Sequence, residues 1–320
     1  MRKYIIRRLL LIIPVLLGIS IIIFSLIHAM PGDPFAHLID PNMTPEDKDR
    51  MLESVGYFDP LPVQYLRWVV GAVQGEFGHS IRFKEDVLKV MWPRIQNTFV
   101  LSLSAMIFST LLAIPLGIIS STKQYSVFDY VATIAAFIGL SIPVFFFGLM
   151  LIKFVAFDLG LFPIAGMQTI ASGYTGWQLF IDKARHLVLP TLVLGLASTA
   201  SLMRYTRSSM LECVKQDYIR TARAKGLSER VVIYKHALRN ALIPVITVLS
   251  MQIPRLISGA LLTETIFVWP GLARLSFQAI MNRDYPMIMG TVTVMSIVVM
   301  LSNLFADLMY AVLDPRIRYQ

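Results

Sequence analysis

The sequence contains little cysteine and little charge. Its single cysteine, Cys213, cannot form a disulfide within the chain, and no cluster of cysteine and histidine has metal-ligand spacing. A disulfide scaffold and a metal site are therefore not predicted. Charged residues make up 15% of the 320 residues and hydrophobic residues 56%, whereas soluble domains carry about 25% charged residues. This composition predicts a membrane protein.

Motifs of the common enzyme classes are also missing. The chain has no GxxxxGK[ST] phosphate loop, no HExxH zinc motif and no complete GxSxG nucleophile motif, since Gly139-Leu-Ser141 supplies only part of the last one. We therefore predict a protein that is not an enzyme, with no catalytic residue and no cofactor of its own. If it moves a solute against a gradient, the energy comes from an ion gradient or from a partner protein.

Ionisable residues inside apolar segments would indicate ion coupling, and the sequence has few of them. Away from the outer ends of the spans, the ones that we expect are Arg255 in the fifth span and Asp307, nearer the cytoplasmic end of the sixth. This scarcity disfavours an ion-coupled secondary transporter, which stays as an alternative together with an intramembrane enzyme.

Long uncharged runs are present instead. Residues 9–30 form a run of 22, which exceeds the roughly 20 residues that a helix needs to cross a bilayer. A cleaved signal peptide is the alternative, but its apolar core is only about 7–15 residues long and ends at a small-x-small site. Residues 27–30 supply no such site, so a first transmembrane helix is favoured. Pro31 and Pro34 are predicted to break this helix where it emerges.

Five further apolar segments bring the prediction to six transmembrane helices and an all-α, polytopic membrane protein. The predicted spans are residues 9–30, 97–121, 127–157, 187–203, 241–262 and 286–312. The second and third spans contain Pro115, Gly117, Gly139 and Pro143. Helix packing through small residues is the favoured interpretation of these positions, and kinks that allow the bundle to move are the alternative.

The distribution of charge predicts the orientation. Residues 31–95 carry 7 Lys or Arg and 10 Asp or Glu, a net charge of −3, whereas residues 204–240 carry 9 and 3, a net charge of +6. The N-terminal tail is also basic. Because positive loops stay in the cytoplasm, residues 204–240 and both termini are predicted to be cytoplasmic. The overall charge of +9 is thus assigned to cytoplasmic loops, and no nucleic acid partner is predicted.

The acidic insertion, residues 31–95, is predicted to be folded and extracytoplasmic. Thr44-Pro-Glu-Asp47 has the pattern of a helix start, and Gly56 marks the end of that helix. Residues 62–70 are aromatic and amphipathic. They suit either a helix near the lipid headgroups or ordinary packing inside the insertion.

The basic stretch, residues 216–240, has the pattern of two short helices. Gly226 can adopt the left-handed conformation that ends the first helix. Ser228 is a natural N-cap for the second, with Glu229 in its first turn. A helical hairpin of this kind between two apolar spans suits binding by another protein.

The basic stretch closely resembles the coupling loop of ABC importer permeases, whose signature is Glu-Ala-Ala-x3-Gly-x9-Ile-x-Leu-Pro. Ala222, Gly226 and Leu238 match the signature strictly. The positions that depart from it are Arg220, Thr221, His236 and Arg239. Asp217-Tyr-Ile-Arg-Thr-Ala-Arg-Ala-Lys-Gly226 with His236-Ala-Leu-Arg-Asn-Ala241 is similar to this loop in the dipeptide and oligopeptide branch.

Other segments extend the resemblance over nearly the whole chain, to the B-type subunit of peptide permeases. They are Arg7-Arg8, Met30-Pro-Gly-Asp-Pro34, Gln64-Tyr65-Leu66, Phe77-Gly78-His-Ser80, residues 204–211, Glu264-Thr-Ile-Phe267-x-Trp269-Pro-Gly271 and Asp314-Pro-Arg316. Nickel permeases of the same branch share much of this pattern, so a nickel or metal-chelate permease is the alternative to a dipeptide or oligopeptide permease.

The resemblance implies a type I ABC importer permease bundle in a prokaryotic cell membrane. Its parts would be residues 1–30 (tail and first span), 31–95 (extracytoplasmic insertion) and 96–320 (permease core), with a cytoplasmic coupling loop at residues 212–240. The implied partners are a second homologous permease subunit, two ATP-binding subunits that hold ATP and Mg, and an extracytoplasmic solute-binding protein.

The resemblance also implies site residues. The residues assigned to ATPase coupling are Arg220, Thr221, Ala222, Arg223, Lys225, Gly226 and Leu238. Ala222 and Gly226 are expected to share a face toward the partner, and the basic side chains to meet partner acids or anionic lipid. Arg255 is assigned to the substrate passage, with an internal ion pair as the alternative. The residues Glu264, Trp269, Pro270 and Gly271 are assigned to an outer gate or binding-protein dock, with loop packing as the alternative.

Overall fold

The structure, a computed structural model, describes residues 2–29, 44–54, 56, 58–254, 256 and 260–313. This part of the chain is almost entirely helical, which confirms the all-α prediction. In chain order the helices are α1 (Arg2–Ala29), α2 (Pro45–Ser54), α3 (Leu61–Gln74), α4 (Val87–Thr122), α5 (Val127–Ser141), α6 (Val144–Asp158), α7 (Gly176–Val214), α8 (Asp217–Ala224), α9 (Glu229–Ser250), α10 (Leu261–Ile266), α11 (Leu272–Met281) and α12 (Tyr285–Leu313).

Five of these helices, α1, α4, α7, α9 and α12, are long and apolar enough to cross a membrane. The pair α5 and α6 passes the same test together and brings the number to six, but its two halves are bent by 101°. The predicted third span, residues 127–157, therefore consists of two helices joined by a sharp bend, and the kink that was the alternative interpretation of Pro143 is the one observed. Pro143 explains the break, because a proline disfavours helical geometry in the residue before it, and Ile142 is extended at φ −75° and ψ 124°.

Several helices begin or end away from the predicted bounds of the spans. α4 begins at Val87, α7 at Gly176 and α9 at Glu229, each earlier than the apolar segment it contains. Hydropathy detects only the part of a helix that lies in hydrocarbon, so the polar turns that extend it are missed. The fifth span also ends at Ser250, and Leu261 begins the separate short helix α10.

The chain divides into two compact units, and the first comprises Met1–Gln96 and Leu272–Leu301. Its core contains Ile27, Phe77, Val87, Leu275 and Met287. The hydroxyl of Thr44 accepts a hydrogen bond from the backbone N–H of Asp47 at 3.2 Å, which confirms the predicted start of α2. Gly56 follows that helix at φ 75°. The Pro31–Pro34 break lies outside the described residues.

Helix α3 packs against α1 within this first unit. The Tyr65 hydroxyl lies 2.8 Å from the hydroxyl of Ser20, and the Tyr65 and Phe24 rings meet edge to face. Trp68 packs against the core described above. The aromatic residues of the amphipathic segment therefore take part in internal packing, whereas Leu66 and Val70 on the same helix are exposed.

The second unit comprises Asn97–Gly271 and Ser302–Gln320. Two of its buried clusters lie along α7, one with Ala113 and Val245 and one with Phe267. Gly117 packs tightly on α7, because a Cβ placed there would lie 2.6 Å from Cβ of Thr206. Gly139 meets only Ala200, at 4.0 Å. Helix packing through small residues is thus confirmed at Gly117.

Candidate coupling site

The first helix of the coupling loop ends at a glycine, as predicted. Gly226 has φ 74°, and its N–H donates to the carbonyl of Arg223 at 2.9 Å, while the N–H of Leu227 donates to the carbonyl of Ala222 at 3.4 Å. This pair of bonds is the Schellman arrangement, which satisfies the last carbonyls of a helix and requires a left-handed residue. Gly226 supplies that conformation without steric cost.

The second helix of the loop is not short. α9 begins at Glu229 and continues without a break to Ser250, so the loop connects directly to the fifth span. Ser228 occupies the N-cap position, but its side chain makes no capping hydrogen bond. Within α9, residues Val232–Ala237 form a π-helical stretch. A displacement of α8 would therefore act on the spanning helix itself.

One face of α8 is buried against its own chain. Ile219 and Ala222 pack in a cluster with Met210 of α7 and with Val232 and Ala237 of α9. The expectation that Ala222 and Gly226 share a face toward a partner is wrong for Ala222. The spacing of four residues aligns side chains only within one helix, and α8 ends at Ala224 before Gly226 is reached. Leu238 is half-buried and packs against the same cluster.

The opposite face of α8 and the turn after it are exposed and basic. Arg220, Thr221, Lys225 and Gly226 are all exposed, and the Arg220 side chain is 78% accessible. Arg220 lies 3.5 Å from Asp217, a surface pair that contributes little to stability. An ideal Cβ on Gly226 would have no heavy atom within 4 Å. This surface is open to a second protein.

Arg223 is held within the loop. Its Nη2 donates to Oε1 of Glu229 at 2.5 Å and its Nε to Oε2 at 3.1 Å, so a bidentate ion pair spans the turn that contains Gly226. The hydrogen bond to Glu229 raises the pKa of Arg223 further above its usual value. From the sequence, Arg223 was predicted to meet a partner and Glu229 to lie in the first turn of the second helix. Opposite charges on the two sides of a predicted turn were the signal that could have indicated their pairing.

The residues assigned to an outer gate or dock come together, but in the interior. Trp269 Nε1 donates to the Asn97 carbonyl at 3.0 Å, and Asn97 Nδ2 donates to the Pro270 carbonyl at 2.9 Å. Both Glu264 and Trp269 are buried.

The carboxylate of Glu264 completes this packing. It accepts a hydrogen bond from the Thr98 hydroxyl at 2.7 Å. Gly271 has no room for a side chain, because a Cβ there would lie 2.2 Å from the Glu264 carboxyl carbon. Loop packing against the start of the second span accounts for these contacts, and a role as gate or dock stays a prediction.

Arg255 and the terminal Asp314-Pro-Arg316 also lie outside the described residues. Two further charged residues form a pair that was not predicted. Asp129 on α5 and Arg207 on α7 form an ion pair between the described helices, with Nε of Arg207 2.8 Å from Oδ1 of Asp129. Asp182 and Asp284 are also buried, and neither was predicted to be.

Two sequence families match the chain. The family described as "Binding-protein-dependent transport system inner membrane component" matches residues 113–319. The family described as "Binding-prot-dependent transport system membrane comp, N-term" matches residues 1–103. Together they cover both ends of the sequence and most of its length.

Full-length relatives are similar as well. The oligopeptide transport system permease protein AppB of Bacillus subtilis strain 168 is 45% identical over 320 residues, which are 100% of both chains. The dipeptide transport system permease protein DppB of Escherichia coli K12 is 40% identical over 338 residues, again 100% of both chains. The di/tripeptide permease protein DppB of Pseudomonas aeruginosa strain UCBPP-PA14 is 39% identical over 339 residues with the same coverage.

Solved structures share the fold at low identity. An inward-facing structure of the MetNI methionine ABC transporter matches 71% of this chain and 97% of its own chain, with a TM-score of 0.55 and 16% identity. A crystal structure of an amino acid ABC transporter matches 69% and 93%, with a TM-score of 0.53 and 13% identity. The chain therefore belongs to the family of inner membrane components of binding-protein-dependent transport systems, and it has the fold of ABC importer permeases.

Proposed function

We propose that this permease takes up dipeptides or oligopeptides as one subunit of an ATP-driven importer. The observation that carries the proposal is the full-length similarity to permeases named for oligopeptide, dipeptide and di/tripeptide transport. These names favour peptides over the nickel alternative. The exposed, basic face of α8 supports the part of the proposal that concerns ATP-driven transport.

The proposed assembly contains a second homologous permease, two ATP-binding subunits and an extracytoplasmic solute-binding protein. ATP and Mg bind to the ATP-binding subunits. The coupling loop and both termini lie in the cytoplasm, because the net charge of +6 over residues 204–240 favours that side. The acidic insertion lies outside, where the binding protein delivers its ligand.

In the proposed mechanism, the ATP-binding subunits bind the exposed face of α8, with Arg220 and Thr221, and the turn after it, with Lys225. The buried face of α8, with Ile219 and Ala222, packs on α7 and α9. A displacement of α8 is therefore passed to two spanning helices, and the bundle alternates between two arrangements that open the passage to opposite sides. Arg223 and Glu229 keep the turn between α8 and α9 rigid during this displacement.

Replacement of Gly226 tests this mechanism. Gly226→Asp places a negative side chain at an open position with φ 74° and should abolish uptake and reduce co-purification of the ATP-binding subunits. Gly75→Asp is the matched control, because Gly75 also ends a helix, at φ 87°, and also has no heavy atom within 4 Å of an ideal Cβ. The control carries the same backbone strain and should retain both properties. Normal uptake and co-purification in Gly226→Asp would disprove the coupling role.

The substrate class can be tested on the solute-binding protein of the same system. Calorimetric titration with a set of di- to pentapeptides and, separately, with NiCl₂ should give tight binding of peptides and none of the metal alone. Binding of Ni²⁺ without peptide binding would support the nickel alternative. The assignment of Arg255 to the passage stays a prediction. Its reason is that a charged residue within a span is unfavourable unless it faces water or a charged partner.

A further inference from the structure

A polar cluster lies where the end of α4, the start of α5 and α7 meet, and its central carboxylate is buried. It consists of Ser120 at the end of α4, Tyr125 in the following turn, Asp129 in the first turn of α5 and Arg207 on α7, and we name it the Asp129 cluster. The Asp129 side chain is 5% accessible and that of Arg207 26%. None of these residues belongs to the coupling loop.

The carboxylate of Asp129 is the centre of the cluster. Arg207 donates to both of its oxygens, from Nε to Oδ1 and from Nη2 to Oδ2, each at 2.8 Å. The hydroxyl of Ser120 also donates to Oδ1. The backbone N–H of Tyr125 donates to Oδ2 at 3.0 Å. A bidentate pair with further donors has one geometry, so the cluster fixes α7 against the hairpin of α4 and α5.

The neighbours of Arg207 connect α7 to the coupling loop. The Ser209 hydroxyl donates to the carbonyl of Ala241 on α9 at 2.8 Å. Met210 is buried in the cluster that contains Ile219 and Ala222 of α8. Ile118 of α4 packs in that same cluster. A single turn of α7 therefore contacts both the coupling loop and the α4–α5 hairpin.

Stability alone is a poor explanation for this ion pair. The desolvation free energy of two charges offsets much of their attraction. Apolar replacements of buried ion pairs are therefore often neutral or stabilising. Such a pair fixes the relative position of two helices better than apolar packing does, because its hydrogen bonds are directional.

We propose that Asp129 and Arg207 are positioning residues that make the α4–α5 hairpin move together with the coupling loop. This inference rests on the proposed function, since it needs α8 to receive the displacement. Without the pair, α8 would still bind the ATP-binding subunits and move α7 and α9, but the hairpin would follow incompletely. ATP would then be hydrolysed with less substrate transported.

The experiment uses the complete transporter in proteoliposomes and measures peptide uptake per ATP hydrolysed. Asp129→Asn and Arg207→Gln should each lower this ratio at least tenfold, while the ATP-binding subunits co-purify in normal amount. The double variant should lower it no further, because both changes break the same link. Arg207→Lys keeps the charge but not the bidentate geometry and should give an intermediate ratio.

The matched control is the exposed ion pair of Lys153 and Asp158, whose partners both lie on α6. Lys153→Gln and Asp158→Asn should leave the ratio unchanged. An unchanged ratio in Asp129→Asn or Arg207→Lys would overturn the inference, and so would a double variant that multiplies the two single losses. Fewer assembled complexes with a normal ratio would also overturn it, since that pattern indicates a structural role. In all three cases the proposed function would stand, because its own test is the Gly226→Asp variant.

Discussion

Asp284 joins two segments of the first unit that are far apart in the sequence. Its carboxylate accepts hydrogen bonds from the backbone N–H groups of Ile81 at 3.1 Å, Arg82 at 3.2 Å and Met287 at 3.3 Å. The hydroxyl of Ser80 donates to the same carboxylate. Asp284 thus caps α12 and holds the turn that follows Phe77-Gly78-His-Ser80. This contact explains the presence of Ser80 in that motif.

Replacement of Asp284 should destabilise the protein strongly. Asp284→Ala leaves several buried donors without an acceptor, and we expect a loss of about 2–4 kcal/mol in the free energy of unfolding. Thermal unfolding of the purified protein in detergent measures this loss as a lower melting temperature. Asp86→Asn is the control, because the Asp86 side chain is 64% accessible and only pairs with His79 at the surface. A change within about 0.5 kcal/mol is expected for the control, and similar melting temperatures for the two variants would contradict the role of Asp284.

Single residues were predictable where the reason is local. Gly226 was identified because a helix end needs a left-handed residue, and this requirement is visible in a short stretch of sequence. Asp129 and Arg207 are 78 residues apart. One sequence does not show which distant charges meet, so their pairing could not be predicted. Arg223 and Glu229 are an intermediate case, since they are close in sequence but joined across a turn.

At the scale of elements, the close approach of α4 and α7 depends on Gly117. A Cβ on Gly117 would lie 3.0 Å from the carbonyl oxygen of Met203 as well as close to Thr206. The backbones of the two helices therefore pack more closely than any larger residue allows. Gly117 lies three residues before Ser120 of the Asp129 cluster, so the tight contact and the ion pair lie side by side.

Gly117→Ala should separate α4 from α7 and lower the free energy of unfolding by about 1–3 kcal/mol. Gly139→Ala is the matched control, since it adds the same methyl group to another transmembrane helix, where the nearest atom lies 4.0 Å away. The melting temperature should fall for Gly117→Ala and stay equal or rise for Gly139→Ala, because alanine favours a helix over glycine by up to about 1 kcal/mol. Equal melting temperatures would show that α4 and α7 can move apart without cost.

The existence of the elements was more predictable than their bounds. Every predicted span contains helix in the described part of the chain. A long apolar segment in a membrane has to satisfy its backbone hydrogen bonds internally, and a helix does so. The starts of α4 and α7 were missed because each helix begins in polar residues, and for α9 the start at Glu229 was predicted but not its continuation into the fifth span. The bend after Ile142 follows from a proline that the sequence displays, but the two interpretations of Pro143 could not be separated without the backbone geometry.

At the scale of the whole molecule, the bend between α5 and α6 affects the topology. If the bent pair crosses the membrane once, the chain crosses six times and both termini lie on one side. If the pair enters and returns, five helices cross and the termini lie on opposite sides. The opposite charges of residues 31–95 and 204–240 favour six crossings.

Cysteine labelling distinguishes these topologies. In a Cys213→Ala background, Ile170→Cys, at a position that is 91% accessible, should react with a membrane-impermeant maleimide added to intact cells or spheroplasts. Lys123→Cys, in the turn between α4 and α5, is the control and should react only after the membrane is opened. Protection of both positions in intact cells would indicate that α5 and α6 do not cross.

The π-helical stretch of α9 preserves the rotational phase of the coupling loop. Val232 and Ala237 are five residues apart, yet both are fully buried in the same cluster. In a regular α-helix this spacing would place them on different sides, whereas the wider i→i+5 turn brings them onto one. Removal of one residue from this stretch would restore a regular helix in which the same two residues, now four apart, would again share a face. The wider turn thus accommodates one extra residue without changing the direction in which α8 faces its partner, whereas the same deletion in the regular helix between Leu238 and Ser250 would rotate everything before it by about 100° around the axis of α9 and misdirect the coupling helix.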